Sequence, residues 1–189
     1  MSVFMGGWVY NGGAVGLLRE GHIHITDKPP GNKELLKDWF KNLPAGWEEP
    51  DAAYGTYVSS NAVAFIKGDK VWVTDWESPR LLSSFFPNLP KAWASGGIKG
   101  AWIYGDSGGV GLWRGNEVHI TNKNPGNTTL ITEFFPNLPA GWDAADTAYG
   151  NYGSGMTGFI KGNQVWVTDW PKPKLLGDQW PDLPSDWKQ

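Results

Sequence analysis

The chain has 189 residues, with 16 basic against 19 acidic side chains, a formal net charge of −3 and no cysteine. Near-balanced charge leaves no electrostatic footprint for nucleic acid or an anionic membrane, and the missing thiols exclude disulfide frameworks, thiolate nucleophiles, zinc ribbons and iron–sulfur centres together. The 26 Gly and 14 Pro argue against a mainly helical fold, while 13 Trp, 8 Phe and 6 Tyr in a 40% apolar chain are enough to close a core.

Taken in chain order, a first unit (1–48) carries Val15-Gly16-Leu17-Leu18-Arg19 and His24-Ile25-Thr26, with Lys28 and Pro30-Gly31-Asn32 after them. Glu34-Leu35-Leu36-Lys37-Asp38-Trp39-Phe40 then has i, i+4 apolar spacing, which predicts a helical turn that proline stops, and Leu43 to Trp47 closes the unit. A second unit (49–96) opens on Asp51-Ala52-Ala53-Tyr54. It continues through Phe65-Ile66-Lys67-Gly68 and the alternating strand Lys70-Val71-Trp72-Val73-Thr74, and closes with Leu89 to Trp93. The third (97–143) returns Val110-Gly111-Leu112-Trp113-Arg114, His119-Ile120-Thr121, Lys123 and Pro125-Gly126-Asn127, a second predicted helical turn within Thr129 to Phe135, and Leu138 to Trp142. The fourth (144–189) returns Phe159-Ile160-Lys161-Gly162, repeats Val71 to Trp76 unchanged as Val165 to Trp170, and ends with Leu183 to Trp187.

The halves therefore match at an offset of about 95 residues, and a Leu-Pro-x-x-Trp phrase divides each half again. Four units of similar length, each of short strands with Gly at the turns, predict an all-β single domain. The expected fold is a four-bladed β-propeller, each blade a four-stranded antiparallel sheet with a short helical turn at its end. One such sheet cannot bury both faces alone, whereas blades stacked in a ring cover one another and leave only short edges.

Several phrases resemble the hemopexin-type repeat. They are Asp51-Ala52-Ala53-Tyr54, Phe65 to Trp72 and Phe86-Pro87-Asn88-Leu89-Pro90, with Asp146-Thr147-Ala148-Tyr149, Phe159 to Trp166 and Trp180-Pro181-Asp182-Leu183-Pro184 in the fourth unit. Units one and three depart at the blade start, with Gly6-Gly7-Trp8 and Gly100-Ala101-Trp102, and at strand three, where His24 and His119 replace Trp72 and Trp166. The resemblance implies the propeller fold and a structural cation in the central channel, held by the backbone carbonyls of Met5, Asp51, Lys99 and Asp146, with no cofactor required.

Two doubled constellations are the candidate sites. Arg19, His24, Lys28 and Asn32 recur as Arg114, His119, Lys123 and Asn127, beside Trp8, Tyr10, Trp102 and Tyr104. Donors and acceptors next to aromatic rings suit a sugar, which offers hydroxyls at its edge and C–H groups on its face. The second set is Asp75-Trp76 and Asp169-Trp170, with Lys67 and Lys161 before the Gly turn; an exposed Trp76 or Trp170 makes a stacking platform, and a buried one is inter-blade core. His22-x-His24 puts two imidazoles on one strand face, as a metal pair needs, but the matching pair is Glu117 and His119, and a hydrogen-bonded surface pair is the simpler reading.

No nucleophile elbow, phosphate loop or paired acid and base is present, so the reading is non-enzymatic. The expected function is a lectin whose partners are glycans or glycoconjugates. Its alternatives are a carrier or storage protein for haem, a polyamine or a metal in or near the channel, and a protein-interaction module, including a homodimer through an exposed aromatic face. Without an apolar run of spanning length or a basic leader, the chain is expected in the cytoplasm, or exported without a recognisable signal peptide, with no membrane insertion. By the same reasoning, the sequon Asn127-Thr128-Thr129 is expected to be unused.

Overall fold

The computed structural model describes residues 3–10, 13–29, 32–55, 62–74, 76–105, 108–150 and 156–189. Blade 1 contains β1 (Phe4–Val9), β2 (Val15–Arg19), β3 (His22–Ile25) and β4 (Glu34–Leu35), followed by the helical turn α1 (Leu36–Trp39). Blade 2 contains β5 (Ala52–Gly55), β6 (Val63–Lys67), β7 (Lys70–Val73), β8 (Arg80–Leu81) and α2 (Leu82–Phe85). Blade 3 contains β9 (Ile98–Tyr104), β10 (Gly109–Arg114), β11 (Glu117–Ile120), β12 (Thr128–Leu130) and α3 (Ile131–Phe134). Blade 4 contains β13 (Thr147–Tyr149), β14 (Gly158–Lys161), β15 (Gln164–Val167), β16 (Lys174–Leu175) and α4 (Leu176–Gln179).

Strands pair antiparallel in sequence order within every blade, and the four first strands pack against one another around the axis, so the fold is the expected four-bladed all-β propeller. The axis is narrow. A Cβ on Gly6 of β1 would come within 2.6 Å of the Ala53 nitrogen on β5, and one on Gly100 of β9 within 2.8 Å of the Ala148 nitrogen on β13, so the inner strands approach through small residues.

The repeated phrases now have physical reasons. After each third strand a threonine hydroxyl accepts the backbone N–H that opens the second strand: Thr26 from Val15, Thr74 from Val63, Thr121 from Val110 and Thr168 from Thr157. In each closing phrase the Trp N–H bonds the Pro carbonyl three residues earlier, at Trp47, Trp93, Trp142 and Trp187, which folds the chain back and buries the indole. The predicted helical runs are shorter than expected, because Glu34–Leu35 and Thr128–Leu130 are drawn into the outer strands and only one turn of helix follows. That turn is anchored by one buried residue per blade: Leu36, Leu82, Ile131 and Leu176.

Four inter-blade seams hold the core, and they alternate in chemistry. The seams between blades 1 and 2 and between blades 3 and 4 contain the ring pairs Phe65–Trp72 and Phe159–Trp166, with centroids 5.9 and 5.7 Å apart. The seams between blades 4 and 1 and between blades 2 and 3 receive His24 and His119 at the same register positions, across from Leu17 and Leu112. There the imidazoles meet the closing indoles of the preceding blade, Trp187 at 6.2 Å and Trp93 at 6.0 Å.

Candidate functional site

The antiparallel ladder divides the expected site residues between the two ends of the ring. Tyr10, Lys28, Asn32, Trp76, Tyr104, Lys123, Asn127 and Trp170 follow the first or third strands, and all of these lie at one end. Arg19 and Arg114 finish the second strands and so lie at the other end, with Met5, Asp51, Lys99 and Asp146. One binding site cannot contain both groups.

The arginines are clamps between blades. Arg19 Nη1 donates to the Asp186 carbonyl at 3.1 Å, and Arg114 Nε to the Gly96 carbonyl at 2.7 Å, in each case on the closing segment of the preceding blade. Lys67 and Lys161 hold the matching place in blades 2 and 4. Lys67 Nζ donates to the Gly46 and Glu49 carbonyls at 2.6 and 3.0 Å, and Lys161 Nζ to the Gly141 carbonyl. All four blades thus place one cation at the end of strand two to satisfy main-chain oxygens at the neighbouring closing segment, a structural role common to the four residues.

His24 and His119 are also corrected as ligand-binding residues. Both are 0% exposed, and burial lowers their pKa, so the neutral imidazole is the folded form. His22 opens β3 with Nδ1 donating to the Glu20 carbonyl at 2.7 Å. Trp76 and Trp170 are half-buried and not free platforms. The Arg80 guanidinium lies 4.1 Å and the Lys174 ammonium 4.0 Å from their ring centroids, and their carbonyls accept the Trp72 and Trp166 indole N–H groups at 3.0 Å. Asp75 lies outside the described residues, and Asp169 is exposed.

The channel residues fare similarly. Asp51 and Asp146 carboxylates accept the Gly68 and Gly162 N–H groups at 2.7 and 2.9 Å, closing hairpins in their own blades. Lys99 Nζ stands 3.6 Å over the Trp113 ring and donates to the Asp143 carbonyl at 3.2 Å. These contacts engage side chains only, whereas the cation implied by the resemblance would be held by the backbone carbonyls of Met5, Asp51, Lys99 and Asp146.

What the structure does bring together is an aromatic cluster, built twice. Trp8 and Trp102 are only 1% exposed, and each indole lies flat over a glycine on the neighbouring strand: a Cβ on Gly16 would approach Trp8 Cε2 to 2.5 Å, and Gly111 meets Trp102 in the same way. The rings are core on one side, yet among the described residues the buried Nε1 of each has no partner in hydrogen-bond geometry, although that of Trp8 faces Tyr10. Next to Trp8 stand Tyr10 at 5.9 Å and Phe40 at 6.1 Å; next to Trp102 stand Phe135 at 5.6 Å and Phe134 at 6.3 Å, with Tyr104 5.7 Å from Phe134. Burial raises the Tyr10 pKa and Asp27 adds to it, against the indole N–H groups of Trp8 and Trp39.

Tyr104 is 39% exposed and Trp39 37%, so each cluster reaches the surface. The β3–β4 and β11–β12 loops rise at the same end and expose Lys28 and Asn32, and Lys123 and Asn127. Trp39 and Phe134 were not among the expected site residues; their signal was the Trp39-Phe40 and Phe134-Phe135 aromatic pair at matching places in blades 1 and 3.

Among the described residues no helix is long and apolar enough to cross a membrane. No family model matches the chain, and no curated protein sequence matches it. Solved structures do. A plant lectin with two metal binding sites from Cicer arietinum aligns at a TM-score of 0.77 and 16% identity, over 95% of this chain and 96% of that one. The hemopexin fold protein CP4 from cow pea aligns at 0.74 and 17%, over 96% of each chain, and a Cicer arietinum albumin showing hemagglutination at 0.75 and 16%, over 95% and 96%. With four four-stranded blades of its own and alignment over nearly the whole of these chains, the chain has the four-bladed β-propeller fold of the hemopexin type.

Proposed function

We propose that this protein is a non-enzymatic carbohydrate-binding protein, a lectin, with two equivalent glycan sites at one end of the ring. The observation that carries the reading is the doubled cluster of Trp8, Tyr10 and Trp39 and of Trp102, Tyr104 and Phe134, each with a buried indole N–H that has no partner in hydrogen-bond geometry among the described residues. A buried donor without an acceptor is costly, and a sugar hydroxyl entering beside the tyrosine supplies one. The ring faces of Tyr10 and Trp39, or Tyr104 and Phe134, offer apolar area to the C–H face of the same sugar. Lys28 and Asn32, or Lys123 and Asn127, add donors at the rim.

The lectin and the hemagglutinating albumin with this fold lend support at the level of architecture, since a fold hosts many functions. Tyrosine, tryptophan and amide side chains form no acid and base pair at matching depth, so recognition without turnover is the chemistry on offer. A glycan array combined with red-cell agglutination tests the reading. Binding to at least one glycan class, lost in Tyr10→Ala/Tyr104→Ala, supports it, and no binding to any glycan at high protein concentration overturns it.

A further inference from the structure

His24 and His119 are ionisable groups packed into the core seams that the proposed site does not use. Both are fully buried, and among the described residues neither nitrogen of either ring has a partner in hydrogen-bond geometry, although the main chains of Asn32 and Asp182 face His24 and those of Asn127 and Asn88 face His119. Each imidazole is wedged between its own blade and the closing turn of the preceding one, against Trp187 or Trp93. The other two seams hold Trp72 and Trp166 at this position, indoles whose N–H groups are satisfied within the blade. Ionisable groups are therefore buried in alternate seams of the ring.

The two histidine seams differ in charge and in what else holds them. The charged groups acting on His24 are Asp182, from the blade 4 closing turn, and Asp27, from its own loop; Asn88 and Asn122 replace them around His119, where no charged group contributes. Blades 4 and 1 are neighbours in the ring but farthest apart in the chain, so their seam is the closure. It is held by the Phe4–Trp187 contact at 5.5 Å, the Arg19 clamp and the 2.7 Å Lys33–Asp186 ion pair.

We propose that His24 and His119 make the ring acid-labile at two of its four seams: protonation of the imidazoles loosens the seam between blades 2 and 3 and, to a smaller extent, the closure seam between blades 4 and 1, leaving the 1–2 and 3–4 blade pairs packed. A charged imidazole cannot stay buried without partners, so each ring must reach the solvent side, and the seam must part to let it. Burial lowers both pKa values. The folded state is therefore favoured while the rings are neutral and loses stability as pH falls below about 6.5, the ordinary value for histidine. Asp27 and Asp182 stabilise a charged His24 within the closed seam and no charged group does so for His119, so the seam between blades 2 and 3 loses more on protonation than the closure seam.

A chain without cysteine allows a direct test. Single buried positions mark each seam: Val15→Cys for 4–1, Ala53→Cys for 1–2, Ala101→Cys for 2–3 and Ala148→Cys for 3–4. Thiol labelling by dithiodipyridine, normalised to the unfolded chain at each pH, should accelerate at Val15→Cys by up to roughly tenfold per pH unit below about 6.5. It should begin at the same pH at Ala101→Cys, reach a larger final acceleration there, and stay flat at the other two. Adding Asp27→Asn/Asp182→Asn should raise the final acceleration at Val15→Cys towards that at Ala101→Cys. Nuclear magnetic resonance titration of the imidazoles in the unmodified chain gives a readout free of folding defects, with His24 ionising above His119. Equal acceleration at all four seams, no acceleration at any, or His119 ionising first overturns the proposal.

Discussion

The Gly16 Cα lies directly beneath the edge of the Trp8 indole, so close that a Cβ added there would stand 2.5 Å from the ring. A large ring over a missing side chain is how the first strand of blade 1 locks onto the second, and Trp102 over Gly111 is the same device in blade 3. Gly16→Ala should cost about 1–3 kcal/mol through overpacking. Chemical denaturation checks this, and a variant as stable as the parent would show that the indole can move aside.

The Lys67 clamp spans the Gly46 carbonyl of blade 1 and the Glu49 carbonyl just after it from a half-exposed position. Lys67→Met keeps the apolar stem and removes the donors, and should cost about 1 kcal/mol, less than a buried charge-assisted pair, because solvent screens the site. Urea titration of this variant and of Lys161→Met should give similar losses without any effect on ligand binding.

Asp186 has its pKa lowered, first by the hydrogen bond from Lys33. A depressed carboxylate stabilises the fold above its unfolded pKa, and that contribution is lost as pH falls through the folded value. Melting temperature should therefore fall in two stages on acidification: one below about 6.5 from the histidines and a second below about 4 from Asp186. Lys33→Ala should remove the second stage and leave the first, and persistence of both stages in this variant would break the assignment.

Trp39 sits at the open side of the blade 1 cluster, and Phe134 takes its place in blade 3. Trp39→Ala should weaken glycan binding by roughly tenfold at one site, the loss of one stacking ring, and leave the melting temperature nearly unchanged. Binding isotherms that split from one class into two would report the asymmetry.

The propeller was legible in the sequence because its signals recur: the closing Trp47, Trp93, Trp142 and Trp187 mark blade ends whatever surrounds them. The site was legible only in part. Matching at the half-chain offset pairs blade 1 with blade 3 and blade 2 with blade 4, which sets Arg19 with Arg114 and Lys67 with Lys161 and hides that all four share one clamp position. His24 and His119 are polar by type, and only the strand register shows that they point into seams. Trp8 reads as a spare aromatic until Gly16 is seen beneath it, a pairing that depends on which residues face each other across two strands. Tyr10, Tyr104, Lys28, Asn32, Lys123 and Asn127 were expected at a ligand-binding end, and the ladder does gather them at one end of the ring.

Calorimetric titration of the intact chain with the tightest array glycan, in monovalent form, tests the two-site account most directly. Two equivalent sites per chain, both abolished in Tyr10→Ala/Tyr104→Ala while the melting temperature holds, is the predicted result. A single site per chain, or binding that survives the double substitution, would contradict it.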